Sequence, residues 1–265
     1  MKKILAMILA AMLLFTLVSC GNKEDDKEEG NKIEDAVAEN VYVDSETGDK
    51  LFYEADDLGG YAITKFVSKT SSAHKVTIPA EIENVEVTGI AKNAFASSVY
   101  VSEIVLPSSV EYIDDYAFSK CEYLTKVTMT DSVTALGNGA FENCKALETV
   151  LLSKNIEVIS AYAFRNCKAL GSITISEKCT EIKEGAFMGC ASFEEVVIPA
   201  SVKTIGDCAF YGNTSMGIAK VPASVETFGQ YVFNAASEDF VLIGTEGSAA
   251  QTYAVDNDYT FVIFA

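Results

Sequence analysis

The stretch AFSKCEYLTKVTMTDSVTALGNGAF, from Ala117 to Phe141, decides the fold, because its pattern returns along most of the chain. A phenylalanine recurs at intervals of 23 residues, at Phe95, Phe118, Phe141, Phe164, Phe187, Phe210 and Phe233. Alanine precedes each of them except the last, which follows Val232. A period held over six intervals without slippage is the signature of a solenoid, in which each repeat forms one turn of a stacked coil.

The other apolar positions of the repeat keep the same register. In the unit that begins at Phe118 they are Cys121, Leu124, Val127, Met129, Val133 and Leu136. The pair nine and eleven residues after the Phe has the period of two expected of a strand, and the pair at fifteen and eighteen predicts a second extended run on the opposite wall. The spacing of three in the A-F-x-x-C-x-x-L segment predicts a helical or 3₁₀ turn. Stacking should bury like side chains in continuous ladders.

This pattern resembles the leucine-rich repeats of the BspA-like family of bacterial surface proteins. The matching text includes "IVLPSSVEYIDDYAFSKCEYL" and "VVIPASVKTIGDCAFYGNTSM", and the closing "GSAAQTYAVDNDYTFVI" is similar to that family's usual C-terminal end. The resemblance covers residues 61–265 and implies a strand-rich α/β leucine-rich repeat solenoid with short parallel strands. It also implies adhesion, since members of that family are associated with attachment to host matrix proteins and with contact between bacterial cells.

The N-terminal segment has the pattern of a lipoprotein leader. Residues 1–19 combine two lysines, an apolar run and a small-residue end, which predicts a signal peptide. The "LVSC-G" ending resembles a bacterial lipobox, so that cleavage would leave Cys20 to carry a lipid. The alternative is an ordinary secretory signal followed by a chance cysteine. Residues 20–40 are acidic and poor in large apolar side chains, which predicts a disordered tether.

The remaining chain divides into a solenoid and two caps. Residues 41–75 alternate apolar and polar side chains on both sides of "DDLGG", which predicts a β-hairpin that caps the N-terminal end. Residues 76–244 form the predicted repeat solenoid. Residues 245–265 predict a C-terminal cap made of a short helix, with Ser248 as its N-cap, and a final strand. Atypical terminal units are expected where a solenoid would otherwise expose its apolar ladders.

The cysteines at the repeat position predict a ladder of buried free thiols. Cys121, Cys144, Cys167 and Cys190 are equivalent residues of successive turns. Such residues lie about 4.8 Å apart with parallel side chains, whereas a disulfide needs Cβ atoms about 3.8 Å apart that approach each other. Small apolar fillers are therefore the favoured interpretation.

Charge and motif content limit the classes of function. The net charge of −18 argues against binding of nucleic acid and against electrostatic docking on anionic lipid. The sequence shows no pattern typical of a nucleophile, a phosphate-binding loop or paired metal ligands, so we expect neither an enzyme nor a cofactor or metal site. His74, the single histidine, is expected to be a surface loop residue rather than a general base. Calcium at an inter-repeat turn stays open as a minor alternative.

The outward residues of the first predicted sheet are the candidate binding face. They are Glu103, Val105, Lys126, Thr128, Thr149, Leu151, Ser172, Thr174, Glu195, Val197, Ile218 and Lys220. A flat strand array of this kind is the surface that repeat proteins use for binding. The equally weighted alternative is that these residues are merely tolerated strand formers. Four tyrosines at outward or turn positions, either contact anchors or incidental, are Tyr112, Tyr116, Tyr123 and Tyr162.

Together these features predict a bacterial cell-surface protein, held outside the cytoplasm by lipid on Cys20, that binds a protein or glycan of host matrix or of other bacterial cells. We expect a monomer that contacts the membrane only through that lipid. The alternatives are a passive envelope or spacer protein without a dedicated ligand and an envelope hydrolase, which the sequence favours least.

Overall fold

The computed structural model describes residues 40–264. The N-terminal part contains β1 (Val41–Val43), β2 (Lys50–Ala55), β3 (Tyr61–Val67), β4 (His74–Thr77), β5 (Glu81–Ile82) and β6 (Val85–Ile90). Later strands lie on one of two walls, in turn except that β12 and β13 share a wall, and they are β7 (Val101–Val105), β8 (Tyr112–Ile113), β9 (Lys126–Thr128), β10 (Ala135–Leu136), β11 (Thr149–Leu151), β12 (Val158–Ile159), β13 (Glu181–Ile182), β14 (Glu195–Val197), β15 (Thr204–Ile205), β16 (Ile218–Lys220), β17 (Thr227–Phe228) and β18 (Val241–Gly244). Helix α1 (Ala249–Asp256) and strand β19 (Thr260–Ile263) follow.

Parallel strands stack on each of two walls, which confirms the predicted solenoid. The first wall consists of two four-stranded sheets with the strand orders β4-β7-β9-β11 and β14-β16-β18-β19. The second wall carries β3, β6, β8 and β10 in one sheet and β12, β13, β15 and β17 in another. Pairing joins residues one repeat apart, so Val127 lies between Ile104 and Val150. The 23-residue period of the sequence is therefore the register of the sheets.

The phenylalanines form one ladder through the core. The rings of Phe95 to Phe233 are all fully buried, and successive centroids lie 4.9–5.5 Å apart. Phe66 of β3 extends the stack by 4.9 Å at the N-terminal end, and Phe240 contacts Phe233 at 5.2 Å at the other end. Burial of each ring contributes on the order of 1.5–3 kcal/mol. One repeat could not bury its ring alone, so the energy of the core depends on stacking.

The A-F-x-x-C segments form short turns of the predicted 3₁₀ type, because their backbone hydrogen bonds join residues three apart. They are runs of single turns, in which the N–H of Ser119 donates to the carbonyl of Tyr116 at 3.0 Å. Residues on both sides of the Phe, such as Tyr116 (φ 56°) and Lys120 (φ 60°), are left-handed and prevent a continuous helix. This geometry points the N–H of the Phe along the solenoid axis. The N–H of Phe118, for example, donates to the carbonyl of Ala140 in the next turn at 2.8 Å. The segment thus adds a third ladder of inter-turn hydrogen bonds.

One turn departs from the regular stack. Residues 171–175 lie between β11 and β14 but form no strand, which divides the first wall into its two sheets. Within residues 40–264, the backbones of Ser172, Ile173 and Thr174 form no hydrogen bonds with either neighbouring turn. Leu152 and Ile173, both predicted to point inward, are therefore only partly buried.

The two ends use different elements. The strands β2 and β3 form an antiparallel hairpin whose turn spans Asp56–Gly60. The first turn is longer than its successors between the proline and the Phe, as a comparison of residues 79–95 with residues 107–118 shows. The added length forms the β5–β6 hairpin, whose turn residues Glu83 and Asn84 are both left-handed. Ser248 caps α1 as predicted, because its side chain accepts a hydrogen bond from the N–H of Gln251.

The predicted thiol ladder lies in the core. Cys121, Cys144, Cys167 and Cys190 are fully buried and unbridged, and each S–H donates to a Phe carbonyl of the preceding turn at 3.1–3.2 Å. Burial raises the pKa of the Cys190 thiol to about 12, and those of Cys144 and Cys167 are raised for the same reason. Thiols of this kind are inert packing groups.

The leader predictions fall outside the described part of the chain. These predictions concern the signal segment, Cys20 and the tether, and residues 1–39 lie outside the described residues. Within residues 40–264, no helix combines the length and the apolar content needed to cross a membrane.

Candidate binding face

The twelve candidate residues lie on the outer surface of the first wall. Each is exposed or half-buried, whereas the residues between them in the strands, such as Ile104 and Val127, are fully buried. Leu151 and Val197 are 54% and 56% exposed, which is unusual for large aliphatic side chains. The inside–outside alternation predicted from the period of two is therefore present, and it leaves aliphatic groups free for contact.

The structure brings these residues together in two groups. The first group covers β7, β9 and β11, where Val105, Thr128 and Leu151 form one row in register. The second group covers β14 and β16, where Val197 lies beside Lys220. Ser172 and Thr174 lie between the two groups on the turn without a strand. The face is thus one surface with an irregular middle.

Its charge differs from that of the molecule. The twelve residues include two lysines and two glutamates, which leaves the set without net charge in a chain of −18. Lys126 contacts Glu103 at 3.3 Å, and Lys220 contacts Glu195 at 2.6 Å. On the second wall, the residues before and within the strands β8 to β17 include four glutamates and one lysine: Glu111, Glu157, Glu181, Glu226 and Lys203. Counted in the same way over β7 to β16, the first wall adds Glu148 and Glu194 to its own two glutamates and two lysines, so the neutrality belongs to the twelve candidate residues and not to the whole wall.

A shallow groove lies at the irregular turn. It encloses about 320 Å³ and is lined by Ser172, Ile173, Thr174, Ile175, Glu177, Glu195, Val197 and Pro199. Residues 171–175 do not pair with β14, so they leave a groove beside that strand in which the side chain of Val197 is exposed. An apolar side chain of a partner would find exposed aliphatic surface there.

The face extends further than the sequence prediction. Val241 and Ile243 of β18 continue its two rows in register with Ile218 and Lys220, and Val262 of β19 lies beside Ile243. The predicted face stopped at Lys220, although the same count from Phe233 reaches Val241 and Ile243. The alternation within "FVLIG" is the signal that would have found them.

Three of the four tyrosines have structural roles. Tyr112 is half-buried and donates its hydroxyl to Asp56 at 3.1 Å; burial, together with the charge of Asp56, raises its pKa well above the ordinary value. The rings of Tyr116 and Tyr162 lie where a Cβ atom on Gly139 or Gly185 of the next turn would come within 2.4–2.5 Å. The hydroxyl of Tyr162 also donates to Glu184. Tyr123, at 58% exposure, is the one of the four that is mostly free for contact.

The structure corrects the expectation for His74. His74 is not a loop residue as expected, but begins β4 and pairs with buried Asp49. Both of its ring nitrogens are engaged within the protein, Nε2 by Asp49 and Nδ1 by the carbonyl of Ser72 and the hydroxyl of Thr70. Among residues 40–264, no three His, Cys, Asp or Glu side chains are grouped as metal ligands.

Comparison with known proteins agrees with this architecture. A family model described as BspA type leucine rich repeat region matches in six copies over residues 88–217 and 157–244. A leucine-rich repeat protein of T. pallidum is 26% identical with a TM-score of 0.54, and the match covers 73% of this chain and 78% of that one. A leucine-rich repeat protein from Eubacterium ventriosum is 20% identical with a TM-score of 0.56, covering 70% of this chain and 50% of that one. This chain therefore spans half the length of the second structure.

None of the curated proteins matches the chain in sequence. The two ranges of the family model together cover residues 88–244, which is more than half of the 265 residues. The chain belongs to the BspA-type leucine-rich repeat family.

Proposed function

We propose that the protein is a lipid-anchored bacterial cell-surface protein that binds a protein or glycan of host matrix or of other bacterial cells through its first wall. The observation that carries this proposal is the exposed strand face, whose candidate residues carry no net charge and include Leu151 and Val197, both more than half exposed. Adhesion is the role that membership of the family suggests. The protein acts as a binding module and not as an enzyme.

Three properties of the first wall support binding there. Parallel strands in register give a rigid surface whose shape is set by the buried ladders beneath it. The intrinsic ion pairs, Lys126 with Glu103 and Lys220 with Glu195, neutralise the face, so a partner need not match a strong field. Exposed aliphatic side chains contribute to affinity when a partner covers them, at about 25 cal/mol per Å².

The anchor belongs to the same proposal. Lipid on Cys20 would hold the chain at the membrane, and the acidic segment 20–40 would separate the folded part from it. Labelled fatty acid fed to the producing cells should appear on the wild-type chain and be lost from the Cys20→Ser variant, which should leave the membrane fraction. Equal membrane retention of both chains would contradict the anchor and leave the binding proposal intact.

Binding itself is tested with the chain from residue 21 onward. The labelled chain is presented to immobilised host matrix proteins, to mucin and to intact bacterial cells. We expect saturable binding to at least one of these surfaces, and competition by the unlabelled chain. A panel on which the chain never binds above background would favour a passive spacer protein instead.

A further inference from the structure

The imidazole of His74 is held between two oxygen acceptors. Its Nε2 lies 2.5 Å from Oδ2 of Asp49, and its Nδ1 lies 3.0 Å from the carbonyl oxygen of Ser72. Neither a carboxylate nor a carbonyl can donate a proton, so the bonds to Asp49 and Ser72 together need hydrogen on both ring nitrogens. The hydroxyl of Thr70 lies 3.0 Å from Nδ1 and 3.1 Å from the carbonyl oxygen of Ser72, so it can donate to Nδ1 of the neutral ring or to Ser72 beside the charged ring. Protonation therefore adds the bond from Nδ1–H to Ser72 and turns the contact with Asp49 into an ion pair.

The carboxylate of Asp49 is equally committed. Its Oδ1 accepts hydrogen bonds from the N–H of Lys69 at 2.9 Å and from the hydroxyl of Ser68 at 3.3 Å. Only 3% of Asp49 is exposed, and the side chain of His74 is 18% exposed. The two groups form a largely buried ion pair, which loses much of its value when either partner becomes neutral.

This pair joins the cap to the first turn. Asp49 immediately precedes β2 in the N-terminal hairpin, and His74 is the first residue of β4 on the first wall. The same hairpin places Phe66 over Phe95. Opening the contact would uncover the N-terminal end of the stacked rings.

The other charged groups nearby are few. Asp44, in the turn before β2, adds a second negative charge that favours protonated His74, although its carboxylate is held by Thr47. Glu46 and Lys75 line a cleft of about 100 Å³ beside Asp49. Burial works to lower the pKa of His74, but the hydrogen bonds to Asp49 and Ser72 and the charges of Asp49 and Asp44 outweigh it and raise the pKa above 6.5.

We propose that Asp49 and His74 form a pH-dependent latch that holds the N-terminal cap on the first turn and loosens when His74 loses its proton. The stability that protonated His74 contributes is complete below 6.5 and declines as pH rises through its raised pKa. For Asp49, burial raises the pKa, but hydrogen bonds from Lys69 and His74 prevail and hold it below 3.8, so the contribution of Asp49 is lost only in stronger acid. The latch therefore contributes most stability between pH 3.8 and pH 6.5, where His74 is protonated and Asp49 is ionised.

One resonance tests the charge of the latch directly. The chain contains a single histidine, so the imidazole signals of the full chain in an NMR titration belong to His74. We expect its pKa above 6.5 in the wild type and a fall towards 6.5 or below in the Asp49→Asn variant. A wild-type value at or below 6.5 would overturn the proposal, whether or not any variant folds.

Hydrogen exchange tests whether the latch holds the cap. After correction for the intrinsic pH dependence of exchange, amides of β2 and β3 should open more often at pH 8.5 than at pH 5.5, by up to about tenfold for each unit by which the pKa of His74 is raised. His74→Gln should remove this difference. Asp56→Asn, at the other end of β2 and without a basic partner, should loosen the cap equally at both pH values. An unchanged pH dependence in His74→Gln would contradict the latch.

Discussion

The middle turns and the N-terminal cap reach a buried core by different means. In the middle, from Phe118 to Phe187, each ring stacks on a copy of itself at 5.2–5.5 Å, and each Phe N–H bonds to the next turn. The cap has no preceding copy to stack on. It closes with antiparallel strands and with two carboxylates, Asp49 and Asp56, which flank β2. Repetition satisfies apolar and backbone groups automatically, whereas an end needs individual polar side chains.

The comparison also concerns function. Because the inward positions of the middle turns are fixed by the ladders, their outward positions are free to differ, and there the exposed Leu151 and Val197 lie. The cap, by contrast, uses its polar side chains for its own attachment. Substitutions in the middle should therefore affect either the core or the face, and substitutions in the cap should act locally.

The largest effect is expected in the middle of the ladder. Phe164→Ala should lower the free energy of unfolding by about 3–5 kcal/mol, because it leaves a cavity between two stacked rings. Urea unfolding followed by circular dichroism measures it. The control is Asn166→Gly, which keeps the left-handed backbone (φ 59°) and loses one hydrogen bond to Asn143, at a cost of under about 1 kcal/mol. Equal costs for the two variants would contradict the ladder.

A smaller and more local effect is expected in the cap. Asp56 accepts hydrogen bonds from Thr88 at 2.5 Å and from Tyr112 at 3.1 Å, and Thr88 is buried. Asp56→Ala should destabilise the cap by about 2–3 kcal/mol, since it leaves these donors without their acceptor. Hydrogen exchange should show faster opening of β2 and β3 with little change in β9. The neighbouring, exposed Asp57→Ala is the control, and a similar loss there would argue against the role of Asp56.

The turns of the middle supply a third test. Gly185 is left-handed, and a Cβ there would come 2.5 Å from the ring of Tyr162. Gly185→Ala should therefore cost about 1–2 kcal/mol. At Gly217 a Cβ meets nothing within 4 Å and the backbone is not left-handed, so Gly217→Ala should be nearly neutral in thermal unfolding. If both changes were neutral, the packing of Tyr162 on the next turn would be incidental.

The smallest effect is expected for an exposed ion pair between turns. Lys145 and Glu122 lie 3.3 Å apart, and about half of each side chain is exposed. Lys145→Ala should change the free energy of unfolding by about 0–1 kcal/mol, and less at high salt. Denaturation at two salt concentrations measures this. A loss comparable with that of Phe164→Ala would mean that surface charge, rather than the ladder, holds the turns together.

The repeat period predicted the fold and the core, because the same residue types must meet in successive turns. Phe, Ala and Cys of the A-F-x-x-C segment are buried as the period requires. The turn geometry could not be predicted in the same way. Glycine occupies these left-handed positions only in some turns, as at Gly139 and Gly185, whereas Tyr116, Lys120 and Asn143 occupy them in others, so no consistent glycine signal marks them.

The irregular turn and the cap contacts could not be predicted from the sequence, for other reasons. Gly171 would be expected to weaken a strand, yet Gly217 holds the equivalent position just before β16, which does form. No single residue therefore predicts that the strand is missing at residues 171–175. Asp49 and His74 are 25 residues apart in a region without a repeat, so no register relates them. The candidate face could be placed by alternation as far as β18, but not its end at β19, which lies beyond the last repeat.

The most direct test of the central claim compares the two walls in a binding assay. Leu151→Asp with Val197→Asp adds two charges to the first wall, and Thr180→Asp with Thr227→Asp adds two to exposed positions of the second. On whichever matrix, mucin or cell surface the wild type binds, the first variant should lose tenfold or more in affinity, about 1.4 kcal/mol, while the second should bind as the wild type does. Loss of binding in the second variant alone, or equal binding by both, would contradict a partner site on the first wall.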